Sequence, residues 1–154
     1  MVSLFRGGEW SDQVAKTYVQ NVIAQQLLVE YIMSRKTDWL TLTPSLEGLS
    51  ETLEAADKDI QSLKISSTPN FEVVNKSALV GVGYVMLGSS MGSKVILDRL
   101  GKTIPSEYQH FLKAMSNASL SFLSFCNELD NNEIDTESAI EGAKAAFIFL
   151  EENS

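Results

Sequence analysis

Little in this chain can hold a metal or attack a substrate. Its 154 residues include one cysteine, Cys126, and one histidine, His110. A lone cysteine forms no intrachain disulfide and no thiolate metal cluster. Its setting, "SFLSFCNEL", is aromatic and apolar and predicts a buried, inert thiol. A single histidine rules out the multi-histidine di-iron sites that some bundles build, and no Glu-x-x-His pair occurs. P-loop, Rossmann and nucleophile-elbow patterns are absent. Basic residues are scarce too, 12 against 20 acidic ones, for a net charge of −8. With no basic block to neutralise phosphates, nucleic acid and anionic membranes are poor partners. Strongly apolar runs of the roughly 20 residues that a membrane span needs are also missing. The longest uncharged run, from Ser77 to Ser93, contains Gly81, Gly83, Gly88 and Gly92 besides several serines. It reads as a buried helix. The opening "MVSLFRGGEW" has no apolar stretch suited to a signal peptide, so a cytoplasmic protein is expected.

What is present is helical periodicity. The 44% hydrophobic content suits one globular domain over residues 1–154. Val14, Tyr18, Val22, Leu28, Tyr31 and Ile32 recur at helical spacing over about Asp12 to Arg35, with Val19, Ile23 and Leu27 widening the face. After a loop, "KTDWLTL", Thr43 and Pro44 can open a second helix. Its seam is Leu46, Leu49, Leu53, Ala56, Ile60 and Leu63. "KISSTPN" is a loop. A third helix is expected from Phe71 to about Leu100, stopped by Gly101. A fourth, capped by Ser106, carries Tyr108, Phe111, Leu112, Met115, Phe122 and Cys126 on one side. The last, capped by Asp135 or Thr136, turns Ile140, Ala143, Phe147 and Leu150 inward. The fold class is all-α, a bundle of about five main helices.

The third helix poses the main question, because each interior glycine costs about 1 kcal/mol relative to alanine. Gly88 and Gly92, four residues apart, can allow close packing of another helix or close approach of a flat ligand. The stretch "YVMLGSSMGSKVI" resembles the distal helix of bacterial heme oxygenases, whose pattern is roughly Tyr-x-x-Glu-Gly-Ser-x-x-Gly-Gly followed by Val-Ile. Tyr84, Gly88, Ser89, Gly92, Val95 and Ile96 match in register. "DRLG" continues like that helix's end, "KDIQSLKI" is similar to the family's segment before it, and "SAIEGAKAAFIFLE" to its Ala-rich last helix. The resemblance spans about Ser11 to Glu151. It implies a heme-oxygenase-like bundle with Tyr84, Gly88, Ser89 and Gly92 as the cofactor-binding surface, backbone lying on a porphyrin face, and heme as the possible cofactor.

The chain departs from the family at the iron. Heme oxygenases hold it through a histidine on their first helix. Here "DQVAKTYVQNVIAQQLLVEYIMSR" looks like the family's second helix, and the only histidine, His110, follows the distal one. Leu87 replaces the usual glutamate. The resemblance therefore implies a protein that has lost heme degradation. It would bind or regulate through a tetrapyrrole, another apolar ligand or a protein partner, with no catalytic or metal-binding residues. The alternative is a genuine heme oxygenase or heme binder with His110 or Tyr84 as iron ligand. Without the family's first helix, the face Val19, Ile23, Leu27 and Tyr31 is expected to form an uncovered groove. Folding back of "MVSLFRGGEW", collapse of the empty heme pocket or another chain could fill it, and a homodimer with Trp10 and the first helix near the contact is expected.

Overall fold

The computed structural model describes residues 9–60 and 71–153, and all regular structure among them is helical. Helix α1, Asp12–Ser34, starts where the Ser11 hydroxyl accepts from the Val14 N–H at 3.2 Å. Tyr18, Val19, Val22, Leu28 and Ile32 along it are buried. The segment after it is only partly a loop. Lys36–Trp39 form one helical turn, α2, which folds the Trp39 ring into the core with its Nε1 donating to the Ile32 carbonyl at 2.7 Å. Thr43 does not cap, because its hydroxyl turns back to the Trp39 carbonyl. The chain then makes a 3-10 turn, Pro44–Leu49, before α3, Glu51–Ile60. Leu46, Leu49 and Ala56 are buried on the expected seam, and Thr52 and Asp59 are buried beside them. Leu63 and the "KISSTPN" segment lie outside the described residues.

Helix α4, Lys76–Leu100, begins five residues later than the periodicity predicts, where Asn75 accepts from the Ala78 N–H at 2.9 Å. Phe71 instead serves as a plug. Its ring meets Tyr31 at 5.1 Å and Phe149 at 5.4 Å, edge to face. Among the described residues, α4 is the one helix long and apolar enough to cross a membrane, but 61% of its most apolar window is buried within the fold. It is the central helix, packed on α1, α5 and α7.

The predicted fourth helix is broken. A 3-10 turn at Ser106–Tyr108 precedes α5, His110–Ala118, then a 3-10 turn at Ser119–Ser121 leads into α6, Phe122–Asn131. Ser119 bonds its hydroxyl back to the Ser116 carbonyl at 2.5 Å, a local contact that competes with helix continuation. Helix α7, Thr136–Glu152, is capped by Asp135 as expected. Its register is the expected one only in part, since Ala143 and Leu150 pack against the core. Gly142, Ala146 and Phe149 face inward, while Ile140 and Phe147 are 48% and 59% exposed. A contact of backbones decides this. Cβ atoms on Gly81 and Gly142 would fall on the carbonyls of Ala139 and Ala78 respectively. The α4–α7 crossing therefore fixes the rotation of α7 more strongly than hydrophobic spacing does.

The expected groove on α1 is absent. Val19 and Ile23 are buried, and Leu27, Tyr31 and Trp10 pack against the core. Trp10 closes the end of the bundle against Tyr18 and Tyr108, at 5.6 and 5.2 Å. The chain covers this face with its own α3, α4 and α7, which removes the physical motive for a dimer through Trp10 and α1.

Candidate functional site

The glycines of α4 divide into two kinds. Gly81 lies on α7 backbone, and a Cβ on Gly83 would strike the methyl groups of Leu46. Those two serve packing. Gly88 has only the Phe122 ring near a Cβ position, at 3.9 Å, and Gly92 has nothing within 4 Å among the described residues. Close helix packing, one reading of this pair, is therefore not what they do in this chain. Gly92 is exposed, and Gly88 is half-buried beside the Phe122 ring.

Helical spacing places Tyr84, Gly88, Met91, Gly92 and Val95 on one strip. Tyr84, Met91 and Val95 are 46%, 49% and 47% exposed. The Tyr84 ring lies 6.0 Å from that of Phe122, making one aromatic edge of the strip. Ser89 is half-buried at its margin and its carbonyl accepts from Ser93. The inner side of the helix is dry and satisfied: Ser90 is buried and its hydroxyl bonds to the Leu87 carbonyl. Leu87 itself is fully buried, so this position points into the core rather than onto the strip. The four sequence-predicted residues thus share one helix, three of them around the open backbone and Ser89 beside it.

His110 is elsewhere. It begins α5, twelve positions before Phe122, the residue that touches Gly88. Its Nδ1 lies 2.9 Å from Oδ1 of Asp59, a carboxylate that is 3% exposed. Asp59 also accepts from the backbone N–H groups of His110 and Phe111, at 3.1 and 3.0 Å. It therefore caps α5 from another helix, answering both the free N–H groups and the positive end of the helix dipole. The Tyr18 hydroxyl adds a contact at 3.2 Å and donates to the Tyr108 carbonyl at 2.6 Å. Sequence reasoning missed this centre. Its one signal was an acidic residue within the otherwise apolar seam of α3.

Burial, and then the Asp59 charge, push the Tyr18 phenol far above its ordinary value of 10.0. The phenol stays protonated in the folded state. Because its folded value is raised, its contribution is intact below about pH 10 and is lost as pH rises further. Chemical denaturation at pH 8 and pH 11 should show this alkaline loss in the parent chain and a smaller one in Tyr18→Phe.

Two other chemical options close. Cys126 is half-buried rather than buried. The Glu128 carboxylate, two residues further on, accepts from the Ser45 N–H and hydroxyl, at 2.9 and 2.5 Å. Nor do the residues around Gly88 and Gly92 fit an imidazole-ligated heme, since the only histidine is held by Asp59 at the far end of the α5–α6 run.

No protein-family model, curated protein or solved structure matches the chain.

Proposed function

We propose that this chain is a heme-oxygenase-like binding protein of the cytoplasm that has lost heme degradation. Its outer α4 strip, Tyr84–Gly88–Ser89–Gly92, receives a flat apolar ligand of the tetrapyrrole class. One observation carries the reading: backbone is open at Gly92 among the described residues, and only the Phe122 ring lies near Gly88, while exposed apolar side chains flank both. Two interior glycines weaken a helix unless the bare backbone is used. The same chain packs its other α4 glycines tightly, so the openness is specific to this pair. Stacking and apolar contact supply the affinity, and no bond to iron is required.

The test compares hemin with metal-free protoporphyrin. Similar affinities, without a low-spin six-coordinate hemin spectrum and without biliverdin when a reductase is added, are the expected result. Turnover to biliverdin would establish the enzymatic alternative. Tyr84 borders the strip, so a second reading makes its phenolate an iron ligand. In that case Tyr84→Phe would weaken hemin binding and spare protoporphyrin binding.

A further inference from the structure

Beside the strip, α4, α6 and α7 enclose a cleft of about 390 Å³. That volume is near the lower end of the roughly 300–1,000 Å³ typical of small-molecule sites. Val80, Leu129, Ile134 and Ile140 make apolar walls. Its floor is the α4–α7 crossing itself, where Gly81 brings the backbones together. The polar groups are few: the Tyr84 and Thr136 side chains, and the carboxylate of Asp130. No lysine, arginine or histidine is among the lining residues. Asp130 is exposed at the rim of the cleft, and its side chain forms no ion pair or hydrogen bond with a described residue.

These features select by charge. An anionic ligand would meet Asp130 and a chain of net charge −8. A bare metal ion would find one carboxylate and apolar walls, too few oxygens to replace its hydration shell. A neutral apolar molecule would leave the carboxylate unused. An alkylammonium uses every part: its chain covers the walls, its charge faces the carboxylate, and the Tyr84 ring offers a cation–π face.

We propose that this cleft binds a small organic ammonium, with its apolar body against Val80, Leu129 and Ile140 and its charge between Asp130 and Tyr84. The site goes beyond the tetrapyrrole strip, with which it shares only Tyr84. The experiment is an amide-resolved NMR titration of the full chain with hexyltrimethylammonium, hexanoate and 1-hexanol. The ammonium should shift the amides around Tyr84, Asp130 and Ile140 saturably, and the other two compounds should not. Asp130→Asn and Tyr84→Leu should each weaken it by about tenfold, and the spectra themselves report that both variants are folded. Saturation by hexanoate or hexanol at the same concentrations would overturn the proposal. So would ammonium shifts confined to other regions, or unchanged affinity in Asp130→Asn.

Discussion

Alanine at Gly81 or Gly142 should destabilise the fold by about 3 kcal/mol, at the upper end of overpacking costs, whereas alanine at Gly92 should be neutral or stabilise by up to about 1 kcal/mol. The chemistry of the three substitutions is the same, and only the surroundings differ. At Gly81 and Gly142 the new methyl would meet the carbonyls of Ala139 and Ala78, backbone atoms that cannot rotate aside. Two helices would have to separate, with loss of contact along the bundle's central crossing. At Gly92 a methyl meets nothing within 4 Å among the described residues, and the gain in helix propensity is retained. Gly83→Ala should fall between them, since Leu46 methyl groups can re-orient. Urea midpoints at constant m-value measure all four. Equal losses at Gly81 and Gly92 would mean that the two kinds of glycine are not distinct.

The second large effect is expected at Asp59. Asp59→Ala should cost about 3 kcal/mol, the scale of breaking a buried, hydrogen-bonded charge. It strips the acceptor from the His110 and Phe111 N–H groups at the start of α5 and from the His110 ring. Tyr18 keeps its bond to the Tyr108 carbonyl, which limits the damage on that side. Asp59→Asn retains one side-chain oxygen but places an NH₂ among donors, so it should recover only part of the loss. Hydrogen exchange should show the opening localised: the first amides of α5 exchange faster in Asp59→Ala, while those of α7 keep their order.

Parts of this architecture were legible in the sequence for definite reasons. Asp135 is a short polar side chain just before apolar periodicity, and it caps where it stands. The helical class followed from spacing that runs the length of the chain. Contacts between distant residues were not legible. Tryptophan in a polar loop gave no hint that Trp39 would fold back onto Ile32. The periodicity of α7 put Ile140 and Phe147 inward, because apolar side chains ordinarily define a buried face. Here a glycine does so, through a backbone contact with Ala78 that no hydropathy pattern encodes. The cap of α5 was sought in Ser106 and lies in Asp59, 51 positions before His110. For the candidate site, the motif put Tyr84, Gly88 and Gly92 on one helix, and spacing aligned them. Which glycines were open and which were packed required the neighbours.

The most direct measurement is a protoporphyrin titration of the parent chain and of Gly92→Leu, followed by fluorescence quenching, with urea midpoints recorded on the same samples. Leucine at an open helical position leaves the fold intact and covers the bare backbone. The account predicts saturable one-to-one binding by the parent, loss of at least about tenfold in affinity for Gly92→Leu, and equal or higher stability of the variant. Unchanged affinity in Gly92→Leu, or no saturable binding by the parent chain, would contradict it.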